Sequence, residues 1–216
     1  MAQIFHHSTN TLSRLSIFGG IFIIAFLVWA WAELNASTYA TRAKVPVEQP
    51  VPFSHEHHVG GLGIDCRYCH TTVERSGFAQ VPPTETCMNC HAKVKEKSEK
   101  LAPVRESYKT GNPVEWIQIH RLPDYVYFNH RAHVSAGVSC VTCHGRIDQM
   151  VEVHQVQPLN MAWCLDCHRN PAPNLRPTNL VTKLDWVADR DPEEIGKEII
   201  AAKNIHPPVN CSGCHR

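Results

Sequence analysis

The longest apolar run lies near the start of the chain, where residues Leu15 to Ala32 read LSIFGGIFIIAFLVWAWA with no charge inside. About 20 apolar residues rising about 1.5 Å each cross a bilayer, so residues 15–33 are predicted to form one transmembrane helix, just long enough to span. Trp29 and Trp31 fall where an interfacial aromatic belt is expected. Ala30-Trp31-Ala32 also has the small-x-small look of a signal-peptide cleavage site. The segment is read as retained, and therefore as an anchor, with residues 1–14 on its cytoplasmic side.

Beyond the span the pattern changes. Residues 34–52 hold Pro46, Pro50 and Pro52 among few apolar residues, which predicts an extended linker. After that no long apolar run appears, so regular elements should be short and sparse. Thr84 precedes a stretch, Glu85 to Leu101, that is free of Gly and Pro and predicts a helix. The KVKEKSEK segment within it reads as a solvated face rather than a binding patch. Asp191-Pro192-Glu193-Glu194 is an N-cap, a proline at the first helical position and early acids, so a helix should run on to Lys203. Gly60-Gly61-Leu62-Gly63 and residues 172–177 predict loops, and Val126-Tyr127-Phe128 a short strand.

Charge adds little and excludes one class. With 20 acidic against 21 basic residues and a formal net charge of +1, there is no basic field for nucleic acid. Only 8% of the residues are aromatic, so a core made of protein alone would be thin for 216 residues.

Cysteine and histidine change the picture. All ten cysteines fall in five copies of Cys-x-x-Cys-His: Cys66 and Cys69 with His70, Cys87 and Cys90 with His91, Cys140 and Cys143 with His144, Cys164 and Cys167 with His168, and Cys211 and Cys214 with His215. Each copy is the attachment signature of a c-type haem, with two thioether bonds to the porphyrin edge and the adjacent histidine on the iron. Zinc ribbons do not require a histidine after every second cysteine, and a thioredoxin-like motif would occur once beside a βαβ pattern. Five covalent haems are therefore predicted, with haem faces as the main packing surface. The expected fold is a multihaem cytochrome c, mostly coil with short α-helices around stacked haems, plus the N-terminal helix.

An internal repeat accompanies the motifs. Phe53-Ser54-His55-Glu56-His57-His58 precedes Cys66, and Phe128-Asn129-His130-Arg131-Ala132-His133 precedes Cys140; a second motif follows each first one. This predicts two dihaem units, residues 53–100 and 128–170, a connector over 101–127, and a tail over 171–216 with a fifth haem.

Fifteen histidines minus the five in the motifs leave ten to place. Two histidines three apart can serve different irons, so His55, His58, His130 and His133 are the expected distal ligands. A filled sixth position makes an electron carrier, whereas an open one permits substrate chemistry. His120 is the first choice for the fifth distal ligand, ahead of His154 and His206; His57 is out of register. Met150 and Met161 are either thioether ligands, which would raise the potential of that haem, or packing against porphyrin. His6 and His7 read as a solvated pair remote from every motif.

Orientation rests on chemistry rather than charge. Arg14 before the span and Arg42 and Lys44 after it leave the positive-inside rule indecisive. Covalent haem attachment takes place on the outer face of bacterial cytoplasmic membranes, which places the residues after the span in the periplasm.

The phrases PFSHEHHVGGLGIDCRYCH, PPTETCMNCH, HRLPDYVYFNHRAHVSAGVSCVTCHG and MAWCLDCHR resemble the pentahaem, membrane-anchored cytochrome c subunit of alternative complex III. The Phe-x-His-x-x-His element is shared with class III (c3 and c7) cytochromes. The resemblance implies a bacterial quinol-oxidising complex, respiratory or photosynthetic. Its partners would be multi-spanning quinol-binding subunits, an iron–sulfur, molybdopterin-enzyme-like subunit, a monohaem cytochrome c and small membrane subunits. No paired acid–base constellation lies near the anchor to take two protons from a quinol, so the chain reads as a carrier without a catalytic site of its own. The alternatives are a NapC/NirT-like stand-alone quinol dehydrogenase and a multihaem reductase with one open haem. The first is disfavoured because 33 residues separate Ala32 from Cys66, where that group places its first motif soon after the helix.

Overall fold

A computed structural model describes residues 4–215; residues 1–3 of the N-terminal stretch and residue 216 of the C-terminal tail lie outside the described residues. The fold divides after Arg42 into two units. In the first, helix α1 (Ser8–Ala36) extends the predicted span by several residues at both ends, and a single further turn, α2 (Thr38–Thr41), follows it. The large apolar side chains from Leu12 to Trp31 on this helix are exposed, and none of its residues is buried. A 29-residue helix that is apolar all round has length and composition enough to cross a membrane.

The second unit begins at Ala43 and contains short helices joined by turns. In chain order these are α3 (Cys66–Cys69), α4 (Thr84–His91), α5 (Ala102–Thr110), α6 (His130–Ala136), α7 (Cys140–His144), α8 (Met161–Arg169), α9 (Pro192–Lys203) and α10 (Cys211–Cys214). Among the described residues the β pairing consists of two isolated bridges, Val126 with His215 and Val138 with Leu175. The expected strand at Val126 is thus one bridge, because no neighbouring run is long enough to pair with it.

The apolar core is as thin as the composition implied. Among the described residues the buried apolar side chains are Ala43, Val51, Val104, Ala172, Leu175, Val181, Leu184 and Ile195. A protein domain of this length ordinarily buries well over half of its unfolded surface, which eight mostly small side chains do not achieve.

Three local expectations meet a different structure. The segment read as a linker is tied down from Ala43 onward. Ala43 and Val51 are buried, the Lys44 N–H donates to the Gln155 carbonyl, and Gln49 exchanges hydrogen bonds with the backbone of Ile117. The helix expected through Leu101 ends at His91, and Lys95 takes a left-handed φ of 52°. The KVKEKSEK run offers no apolar face to bury, so packing cannot hold it helical. Gly60 and Gly61 belong to a wide π-helical turn, Glu56–Gly61, rather than a loop. A Cβ on Gly60 would collide with the carbonyl of Asp148, so only glycine permits that approach. Residues 172–174 form a single 3-10 turn inside the other expected loop.

Helix α9 keeps its predicted bounds, with the Asp191 carboxylate accepting from the Glu193 N–H and Pro192 in the first turn.

Candidate haem-binding site

Each Cys-x-x-Cys-His sits on one short helical turn. Residues three apart share a helix face, so both sulfurs of a motif are presented together with the histidine directly after them. Side-chain caps start several of these turns. Asp65 accepts from the Arg67 N–H, Asn160 from Trp163 and Asn210 from Gly213. None of the ten cysteines is paired as a disulfide. Among the described residues, no group of three or more His, Cys, Asp or Glu side chains is placed to hold a bare metal ion.

The two copies of the hexapeptide both start on a side-chain cap, though the first continues as the π-helical turn Glu56–Gly61 and the second as α6. Asn129 caps α6 by accepting from the Ala132 N–H, and the Ser54 hydroxyl accepts from the His57 N–H. The phenyl ring of each copy then packs against both histidines. Phe53 stacks on His58 at 4.3 Å and meets His55 edge-on at 4.8 Å; Phe128 stacks on His133 at 4.4 Å and meets His130 edge-on at 4.8 Å. Spacing alone assigns these phenylalanines no role. They orient two imidazoles from one turn.

Several histidine rings face one another at a separation that would suit ligation of one ion from both sides. An imidazole nitrogen lies about 1.1 Å from its ring centre and binds a metal at about 2 Å, so two imidazoles across one ion have centres roughly 6.2 Å apart. The observed separations are 6.1 Å for His58–His91, 6.4 Å for His130–His144 and 6.0 Å for His133–His168. His55 has His70 as its strongest electrostatic neighbour.

Hydrogen bonds fix the tautomers. A carbonyl oxygen only accepts, so an imidazole nitrogen facing one carries the hydrogen, and its other nitrogen keeps the lone pair for a metal. Nδ1 donates to a carbonyl in His58 (Ser54, 2.8 Å), His70 (Gln80, 2.8 Å), His91 (Val94, 2.9 Å) and His130 (Gly77, 2.9 Å). It does so also in His133 (Asn129, 2.8 Å), His168 (Pro208, 2.7 Å) and His215 (Tyr125, 3.2 Å). Burial, followed by neighbouring histidines, pushes His55 and His120 down to about 4 and His144 to about 3. A neutral imidazole is the form that binds iron. The residues fit a covalently held, histidine-ligated haem.

The remaining candidates are placed differently. His120 lies against His144 with ring centres 4.3 Å apart, too close for an ion between them. His154 is a half-buried neighbour of His120. His206 is bonded to the Asn204 side chain, and His57 is exposed beside His58. Met161 is 66% exposed, and the Met150 carbonyl accepts from the Glu56 N–H. Beside His215 lies the ring of Tyr125, at 5.6 Å.

Residues 32–122 match the Class III cytochrome C family, and residues 126–216 match the family described as Cytochrome c7 and related cytochrome c. The chain is built of class III multihaem cytochrome domains. Domains of this class hold covalently bound c-type haem. Over 123 residues this cytochrome is 35% identical to the menaquinone reductase, multiheme cytochrome c subunit, of Nitratidesulfovibrio vulgaris. The matched stretch covers 56% of the cytochrome and spans about half the length of that relative, 55%.

Within the cytochrome the motifs form a row. Asn89 of the second motif donates to the Tyr68 hydroxyl of the first at 3.2 Å, and burial followed by Cys87 raises the Cys69 thiol. Cys66 of the first motif has Cys140 of the third as an electrostatic neighbour, and Asp65 accepts from Thr182 while Val181 accepts from Ser139 and Cys140. Thr142 of the third motif lines one cavity with Asp166 and Cys167 of the fourth. Cys164 of the fourth has Cys214 of the fifth as an electrostatic neighbour, and His168 reaches Pro208, three residues before that motif. The spatial order is second, first, third, fourth, fifth.

Proposed function

We propose that this chain is a membrane-anchored pentahaem electron carrier, the cytochrome c subunit of a quinone-linked complex of the alternative complex III type. The observation that carries this reading is the unbroken row of five attachment motifs, each beside the next. When bound, haem supplies one-electron storage and transfer. The chain supplies the rest. Paired cysteines hold each group, and His70, His91, His144, His168 and His215 ligate from one side. His55, His58, His130 and His133 close four irons from the other, with Phe53 and Phe128 holding those rings in place.

Helix α1 is the anchor, and the unit beginning at Ala43 faces the periplasm of the bacterial inner membrane. Integral-membrane quinol-binding subunits, an iron–sulfur, molybdopterin-enzyme-like subunit and a monohaem cytochrome c are the partners that the resemblance supplies. Electrons would pass from quinol oxidation toward a periplasmic acceptor. The relative's name favours a second reading, in which the current runs toward menaquinone.

Haem content is the direct test. A denatured, acid–acetone-extracted chain should retain the mass of five haems by intact-mass spectrometry. Fewer than five, or bound zinc, refutes the pentahaem reading.

A further inference from the structure

The third motif departs from a rule that the other described motifs obey. His70, His91, His168 and His215 each direct Nδ1 to a backbone carbonyl. His144 does not. Its Nδ1 lies 3.2 Å from the Nε2 of His120, in a contact that is half-buried and spans 24 residues of sequence.

The direction of that bond follows from ligation. If His144 binds iron through Nε2, as the 6.4 Å spacing to His130 indicates, its Nδ1 carries the hydrogen and donates. His120 Nε2 is then the acceptor, and the His120 hydrogen sits on Nδ1. The 4.3 Å ring separation and the 72° angle between planes suit an edge-on N–H···N contact and leave no room for an ion.

We propose that His120 is a positioning residue rather than a distal ligand: it accepts the Nδ1 hydrogen of His144 and thereby sets the electron donation of that histidine to its iron. The inference rests on the pentahaem reading above. An imidazole nitrogen is a stronger hydrogen-bond base than an amide carbonyl. It draws the Nδ1 hydrogen further from His144, raises the basicity of the ligand and stabilises the ferric state. The site at the centre of the row therefore has a lower potential than backbone acceptance would give it.

The test compares His120→Ala and His120→Gln in the haem-loaded full chain, by redox titration, electron paramagnetic resonance and carbon monoxide binding. Neither variant should add a high-spin or carbon monoxide-binding haem to those of the unmodified chain. In His120→Ala one midpoint potential should rise and one low-spin signal should shift. In His120→Gln, whose side-chain carbonyl restores an acceptor, the rise should be partly reversed. A new high-spin, carbon monoxide-binding haem in either variant would make His120 a ligand and overturn the proposal. Unchanged potentials in both would overturn it too. If His120→Ala fails to accumulate, His120→Gln decides alone, by the same shift in one potential and the same low-spin criterion. Loss of haem stoichiometry in the unmodified chain would instead defeat the pentahaem reading.

Discussion

A histidine's role in this chain is decided by what its two nitrogens face. His57 and His58 are adjacent in sequence, yet only His58 has a carbonyl on Nδ1 and a partner ring, His91, at 6.1 Å. We therefore expect His58→Ala and His133→Ala each to turn one haem high-spin and open it to carbon monoxide, while His57→Ala leaves the spectrum unchanged. Fully low-spin His58→Ala and His133→Ala would mean that the hexapeptides do not supply ligands. Asp65 acts on stability instead. The Arg67 guanidinium beside it, with the hydrogen bonds from the Arg67 N–H and Thr182, holds its carboxyl down at about 2 against a usual 3.8. A depressed carboxylate stabilises the fold fully above its unfolded pKa, and that contribution is lost as pH falls from about 4 through about 2. Asp65→Ala removes the cap and the link to Thr182, which should cost about 1–2 kcal/mol at neutral pH. Asp65→Asn should cost less. The difference between the parent and Asp65→Ala should shrink below about pH 4 in denaturant melts; a gap that widens with acid would contradict this assignment.

Elements here are short because each turn answers to a motif rather than to an apolar stripe. Helices α5 and α9 are exceptions: α5 buries Val104, and in α9 Ile195 is buried with the chain at Ala172 pressed onto it. Gly196 makes that contact possible, since a Cβ there would overlap the Ala172 carbonyl. Two effects oppose each other in Gly196→Ala. Helix propensity favours alanine by about 1 kcal/mol, whereas overpacking against backbone costs about 1–3 kcal/mol. The overlap is with main chain, which cannot swing aside as a side chain can, so the cost should win. The variant should melt at a lower temperature than the parent; an unchanged or higher melting point would show that the loop yields. In α1 the corresponding glycines, Gly19 and Gly20, have nothing within 4 Å. Close approach of a neighbouring helix gives such a pair its use.

At the scale of the whole molecule, one helix and a thin core ringed by attachment motifs leave little from which to build a private quinol pocket. Two cavities, lined by Thr142, Trp163, Asp166 and Arg176 among others, lie close to the third and fourth motifs. Neither lies on the anchor. The chain on its own, haem-loaded and in detergent, should therefore show negligible reduction by quinol with an artificial acceptor present. The intact assembly should turn over. Quinol reduction by the lone chain at the rate of the complex would favour a stand-alone, NapC/NirT-like dehydrogenase.

Much of this site is legible in linear order, because haem attachment is local chemistry. Cys-x-x-Cys-His is complete within five residues, the Ser or Asn cap with its two histidines within six, and the apolar span within one helix. The α9 signals of Asp191 and Pro192 were equally local and kept their bounds. What lay beyond the sequence depends on contacts between distant residues. The row of motifs is fixed by bonds such as His130 to Gly77, 53 residues apart, and Thr182 to Asp65, 117 apart. The pinning of residues 43–52 and the breaking of the helix at His91 follow from partners, or their lack, that no periodicity records. His120 shows the limit most clearly. Spacing makes it available to an iron, and only the packing of its ring edge-on to His144, at 4.3 Å, makes it the acceptor of a hydrogen instead.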